Sequence, residues 1–269
     1  MINKMQIAII KKDIFSITAN KRMLVVLITI PLIMTVVLPL IFILIILLQS
    51  GDSRDMTELI QLAGASYPEI NNPDNANIKI FLINMFLNNT IPIFFIYIPV
   101  IASSVMASGS FVGEKEKSTL ETLLYCPLPL KKIFNAKILA SLLLSMAVSV
   151  FSFIVMVIVT ETTIFALTGT IIMPNINWII IILLVSPAAA IISINLIVRN
   201  SAKAQSFEEA QQSSLFLILP VTLLIFGQST GIMMVSAKLF LLIAAVLAVI
   251  AALTFKSSFR KFNYEALLR

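Results

Sequence analysis

Residues 23–48 read MLVVLITIPLIMTVVLPLIFILIILL, Met23–Leu48, 26 positions without one Asp, Glu, Lys or Arg. A helix that is apolar on every side has no polar face to give to water, and about 20 such residues are enough to cross the hydrocarbon core of a bilayer. The rest of the chain has the same character. Of its 269 residues 59% are hydrophobic and 12% charged, with a mean hydropathy of +1.03. Soluble domains run near 45–50% apolar and about 25% charged. A soluble globule is therefore excluded, and the chain reads as one all-α membrane domain over 1–269. The Met23–Leu48 run has no cleavage-like end and exceeds the apolar core of a signal peptide, so it is expected to stay as a span.

The charges divide the remainder into further spans. Ile80–Gly113 carries no charge. It is longer than one crossing needs, so the second span is placed near Thr90–Phe111, with kinks expected at Pro92 and Pro99. Lys137 to Arg199 encloses only Glu161 and accommodates spans near 138–160 and 178–198, joined by an outer connection Glu161–Asn177. Glu209 to Lys256 encloses only Lys238 and accommodates spans near 211–226 and 238–255. Between these two lies Gly227-Gln228-Ser229-Thr230-Gly231. It reads either as a broken, re-entrant outer element, which membranes tolerate where protein covers it, or as a plain polar turn.

Six spans put both termini on one side. Sixteen Lys and Arg residues fall on that side and three, Arg54, Lys79 and Lys238, on the other. The positive-inside rule then makes the termini cytoplasmic, with Gln49–Lys79 as the first outer loop. The net charge of +6 follows from this bias and does not point to nucleic acid. Ahead of the first span, Ile7, Ile10, Ile14 and Ile17 recur at helical spacing beside Lys4, Lys11 and Lys12. This predicts an amphipathic helix in the inner interface, against the alternative of a simple extension of span one.

Several chemistries are ruled out by composition. Histidine is absent and Cys126 is the only cysteine, which excludes disulfides, His-dependent metal sites and imidazole relays. The expected span interiors hold no ionisable residue, as proton-coupled transporters require. No catalytic residue, metal ligand or G-x-x-x-x-G-K-[ST] phosphate loop is found. Ser103, Ser104, Ser108 and Gln228 are candidate polar contacts along a substrate path, against the alternative of satisfied hydrogen bonds between helices. Gly109 and Gly113 form a G-x-x-x-G pair, a candidate for close helix approach at a dimer contact.

The informative segment lies between spans two and three. Ser118 and Glu121 form the capping pattern S-x-x-E, in which the hydroxyl and the carboxylate satisfy amides at a helix start. Leu120, Leu123 and Leu124 follow as an apolar face, and Pro127 and Pro129 end the helix. That face packs either on the inner end of its own bundle or in a cytoplasmic partner. A second capping pattern, Ser206 and Glu209, opens a helix that carries Glu208, Glu209 and Gln211 toward span five, as a solvated face or as a further partner contact.

The stretch G-E-K-E-K-S-T-L-E-T-L-L-Y-C-P-L-P-L, Gly113–Leu130, followed by K-K-I-F-N-A-K-I-L-A, resembles the hallmark of type-2 ABC transporter permeases. The resemblance implies a cytoplasmic coupling helix that docks in an ATP-binding subunit through Glu114, Lys115, Glu116, Thr119, Leu120, Glu121, Leu123, Leu124 and Pro127, with Ser118 as its cap. It implies two copies of that ATPase, which bind the ATP and Mg, and a second permease subunit, identical or related. The expected function is export of a hydrophobic or amphipathic peptide, toxin, lipid or drug across a bacterial cell membrane. Two readings from other classes stand beside it: a secondary transporter or channel without an ATPase, and a membrane sensor or scaffold whose cytoplasmic helix recruits a regulator.

Overall fold

The computed structural model describes residues 4–48, 75–116, 128–201, 204, 206–212, 214–229 and 237–261. Among these, every regular element is a helix. A short α1, Lys4–Ala19, precedes α2, Lys21–Leu48. Then come α3, Ile78–Glu116; α4, Leu130–Thr168; and α5, Ile176–Asn200. The chain closes with α6, Phe207–Gln212, α7, Leu215–Ser229, and α8, Ala237–Lys261. Six stretches are long and apolar enough to cross a membrane: α2, α3, α4, α5, Phe207–Gly227 and α8.

The first residues do not simply extend α2. Asn20 sits between the helices with extended backbone (φ −84°, ψ 107°), and its side chain accepts the Arg22 N–H at 3.1 Å. This is an N-cap, which starts α2 afresh and lets α1 turn aside. The face that α1 buries keeps Ile10, Ile14 and Ile17 of the isoleucine stripe and adds Gln6, Ile9 and Asp13, whereas Ile7 is 55% exposed.

Three spans share one irregularity. Five-residue π turns occupy Ile33–Val37, Phe86–Thr90 and Ile181–Val185, each two residues before a proline: Pro39, Pro92 and Pro187. Proline lacks an N–H, and its ring crowds the carbonyl four residues back. The helix widens upstream, and the residue before each proline bonds five residues back: Leu38 to Ile33, Ile91 to Phe86 and Ser186 to Ile181. At Pro99 the adjustment is different. A single turn residue, Ile96, interrupts the helix and donates to the Ile93 carbonyl three back, at 3.1 Å.

Carbonyls freed in this way need partners, because no water reaches the bilayer interior. In α3 the partners come from the start of α5. Asn177 Nδ2 donates to the Asn88 carbonyl at 3.2 Å, and Trp178 Nε1 donates to the Leu87 carbonyl at 3.2 Å. Asn88 Oδ1 in turn accepts the Asn175 N–H at 2.8 Å. The buried Trp178 ring packs on Phe95 at 5.3 Å and on Phe153 at 5.1 Å. The far end of α3 is thereby clamped to the connection between α4 and α5.

The helices run beyond the expected spans. The helix that carries the second span begins at Asn75, within the expected outer loop, and Asn84 and Asn88 lie inside it. The helix that carries the third span is not confined to 138–160. α4 has 39 residues, roughly 58 Å at 1.5 Å per residue against about 30 Å of hydrocarbon. It absorbs Glu161–Thr168 of the expected outer connection and stops at Gly169, whose φ of 70° is a conformation glycine adopts without strain. α7 stays helical through Ser229, so the expected break does not begin at Gly227; residues 230–236 lie outside the described residues.

The core is centred on α3. Within the chain 83% of its most apolar stretch is buried, against 28% for α2, 22% for α4 and 17% for α8. α2, α4, α5 and α7 pack against α3, α8 packs on α5, and the outer spans turn Leu, Ile and Phe side chains outward, as lipid-facing helices do. Replacing Asn177 by Leu removes the donor to the orphaned Asn88 carbonyl. This is expected to destabilise the chain by about 1–3 kcal/mol, read as a lower thermal midpoint in detergent.

Candidate functional site

The segment singled out by sequence, Ser118 to Pro127, lies outside the described residues. Its two roots do not. The end of α3 supplies Glu114, Lys115 and Glu116, and Leu128 and Pro129 lead into α4. Leu128 packs on the apolar cluster that α1 forms with α3 and α4, including Ile10, Ile17, Met106, Ile133 and Ala140.

Beside this cluster the two roots meet in a buried set of charges. Lys137, in the second turn of α4, has a side chain 3% exposed. Its ammonium lies 2.8 Å from Glu114 Oε2 and 3.4 Å from Asp13 Oδ2. It also donates to the Ser110 carbonyl at 2.7 Å and sits 5.6 Å from the centre of the Phe111 ring. Ser110 Oγ donates to Asp13 Oδ2 at 2.6 Å. Lys12 reaches in from the half-open side to pair with Glu114. Two acids and two ammonium groups balance, which is the condition for holding charge out of water.

Three helices contribute to this base. Asp13 and Lys12 come from α1, Ser110 and Glu114 from α3, and Lys137 from α4. Gln6 adds a bond to the Lys132 carbonyl at 3.1 Å, in the first turn of α4. Close approach of α1 depends on Gly109, where a Cβ would collide with Ile17 Cδ1 and come within 3.3 Å of Met23 Sδ. Gly109 therefore receives α1 of its own chain.

The sequence reading missed Asp13 and Lys137. Lys137 was taken as a boundary charge just outside the third span, yet the helix begins at Leu130 and buries it. Lys137 is thus buried among the chain's own helices near the start of α4, while the middles of the expected spans hold no Asp, Glu, Lys or Arg. A signal existed in α1, where Asp13 shares a helical face with Ile10 and Ile17, four positions from the latter.

The second cytoplasmic segment forms a short helix at the head of the stretch Phe207–Gly227; residue 213 lies outside the described residues. α6 ends at Gln212, and a turn in which Ser214 donates to the Gln211 carbonyl separates it from α7. Ser206 Oγ accepts the Glu209 N–H at 3.2 Å, as the capping pattern expects. Glu208 pairs with Arg22 at 3.1 Å, both largely exposed, and Glu209 is exposed beside it. Ser103, Ser104 and Ser108 are fully buried among the chain's own helices. Ser103 bonds the Val100 carbonyl at 3.0 Å, and Ser104 bonds Ser214 Oγ at 2.9 Å. The side chain of Gln228 lies outside the described residues. Among those residues no three His, Cys, Asp or Glu groups are placed to hold a metal.

Replacing Lys137 by Met leaves two acids facing each other in the interior. The expected loss is about 3–5 kcal/mol, and most of it should return in Lys137→Met with Asp13→Leu, measured as thermal midpoints in detergent; additive losses would contradict the network. Burial pulls the Lys12 ammonium down, but the Glu114 hydrogen bond and the Glu114 and Asp13 charges outweigh it and hold Lys12 above its ordinary 10.5. A raised folded value means that its contribution is complete below the ordinary lysine range and lost only as pH rises beyond it. A fluorophore at Ser16→Cys, in a Cys126→Ser background, should report a docked α1 through neutral and mildly alkaline pH and release only above that range.

No curated protein and no solved structure matches the chain. The family of ABC-2 family transporter proteins matches residues 59–204, from the first outer loop to the start of the α6 segment. With its six apolar helices, the chain is a multi-pass membrane protein that belongs to this family, the membrane components that work with an ABC ATP-binding subunit.

Proposed function

We propose that the chain is the permease subunit of an ATP-driven exporter that moves a hydrophobic or amphipathic substrate, such as a peptide or toxin, a lipid or a drug, out of a bacterial cell. The termini and α1 face the cytoplasm. Two ATP-binding subunits, which hold the ATP and Mg, serve two permease chains. This chain supplies no catalytic group; its work is mechanical.

The observation that carries the reading is that both roots of segment 117–127 are fixed in one base. Glu114 enters the ionic set on one side, and Leu128 enters the α1 cluster on the other. A displacement of the segment therefore acts on α1, α3 and α4 together. In this reading Glu114, Lys115, Glu116, Ser118, Thr119, Leu120, Glu121, Leu123, Leu124 and Pro127 meet the ATPase, with Glu208, Glu209 and Gln211 as a second contact. Glu208 is joined to the α2 start through Arg22, which supports a shared cytoplasmic surface. Exporting greasy cargo also fits spans whose only buried charges are neutralised at one end. Ser103, Ser104, Ser108 and Gln228 remain the proposed polar contacts for cargo, reached only if the helices around α3 part during the cycle.

The test combines capture and turnover. The tagged chain, purified from its native membrane, should bring down a Walker-motif ATPase, and the reconstituted pair should hydrolyse ATP. Glu116→Arg with Leu120→Asp should abolish capture or coupling while the chain still inserts. Wild-type export by that variant would overturn the docking role.

A further inference from the structure

A groove of about 310 Å³ runs down the outer wall between α2 and α4, and the ionic base plays no part in it. Its lining extends from Leu24 to Val36 on α2 and from Leu144 to Val155 on α4. At 1.5 Å per residue those stretches rise roughly 18 Å and 17 Å. Half of a 30 Å hydrocarbon core is about 15 Å, so the groove is one leaflet deep, starting from the terminal end of the bundle.

The groove offers its occupant nothing polar. Three of its lining residues carry hydroxyls, and each is already committed to its own helix. Thr18 donates to the Ile14 carbonyl at 3.0 Å, Thr35 to Pro31 at 2.8 Å and Ser152 to Val148 at 2.7 Å. The lips are Ile28, Leu32 and Phe151, which are 53%, 48% and 68% exposed. Bulky lips around a hollow differ from the small-residue faces by which helices pack in membranes.

Charge sits at the mouth. Thr18, the one α1 residue in the lining, stands seven residues from Lys11 and fourteen from Lys4, a spacing close to whole helical turns. Lys4 and Lys11 are exposed on that strip, with Ile7 beside them. Lys21, also exposed, opens α2 directly above Leu24. The acid of α1, Asp13, is turned inward and paired with Lys137. Among the described residues, Lys11 and Lys21 have no carboxylate partner.

We propose that this groove is a binding site for an anionic phospholipid of the leaflet that faces α1. One acyl chain fills the hollow between α2 and α4, and Lys11 and Lys21 meet the phosphate. The site requires only that the chain spans a bilayer and is independent of the exporter reading.

Delipidated full-length protein, titrated with phosphatidylglycerol or phosphatidylcholine in detergent and weighed intact by native mass spectrometry, tests the site. Each lysine near an anionic surface is worth about a fivefold change in affinity, so phosphatidylglycerol should bind about 25-fold more tightly than phosphatidylcholine. Lys11→Gln with Lys21→Gln should bring the two near parity. Ala147→Phe, which plugs the exposed floor, should weaken both lipids at least about tenfold, since the chain would lose several buried methylenes; Leu32→Trp at the lip is a second plug should the first misfold. Equal binding of the two lipids by the wild type, or unchanged binding in a folded plug variant, would overturn the proposal. So would high-yield disulfide linking of Ile28→Cys or Phe151→Cys chains in native membranes, because a second copy of the protein would then occupy the groove.

Discussion

A charge that leaves water must take its counter-charge with it, and this chain is organised around that constraint. Its spans exclude Asp, Glu, Lys and Arg from their middles, so nearly all charge collects at helix ends. The set formed by Asp13, Lys137 and Glu114 stands apart in being buried, where α1 packs across the end of α3 and the start of α4. A broken buried pair costs far more than an intact one contributes. The set therefore acts less as glue than as a register pin: α1, α3 and α4 can dock only in the arrangement that brings all of its members together. Gly109 serves the same end sterically, because only a missing side chain lets Ile17 reach the α3 backbone.

The same constraint applied to the backbone explains the proline irregularities. A proline in a soluble helix can leave its orphan carbonyl to water. Here Pro92 frees the Asn88 and Leu87 carbonyls inside the bundle, and Asn177 and Trp178 come from another helix to meet them. At Pro92 the helical defect becomes a tertiary contact. The asparagines that look in the sequence like a polar helix end are the fastening between α3 and α5.

What the sequence revealed and what it hid divide along this line. Span number and helical class were legible because they depend on apolar length alone, a property of each segment by itself. The family was legible because the stretch Gly113–Leu130 resembles a family hallmark, not because its capped, leucine-faced pattern alone names a partner. Lys137 was misplaced because charge was treated as a boundary mark, and only its partners on α1 and α3 reveal that it lies within. One position of the isoleucine stripe of α1, Ile7, misled for a related reason. Ile7 looks equivalent to Ile10 by periodicity, but the bundle selects the face that carries Asp13, where an ionic partner outweighs one more buried methyl group. Of the three serines of α3, Ser103 bonds the Val100 carbonyl of its own helix, and the Ser214 partner of Ser104 belongs to the fold and could be named only from it.

The base and the groove together assign different duties to the two sides of α1. Its inner face is held by ion pairs whose strength grows as water is excluded, and its outer face presents exposed lysines with Met5, Ile7 and Phe15, suited to a headgroup layer. A helix fastened on one side to α3 and α4 and on the other to lipid fixes the height of the bundle in the bilayer. That matters for α4, which at roughly 58 Å is far longer than the hydrocarbon is thick and could otherwise slide along its axis at little cost. On the proposed reading, a push on segment 117–127 enters α4 at its first turn, and a rod free to slide would spend the displacement in rising through the bilayer. With α1 anchored in the interface, the same push is left to tilt α4 against α3, and tilting is the motion that separates helices.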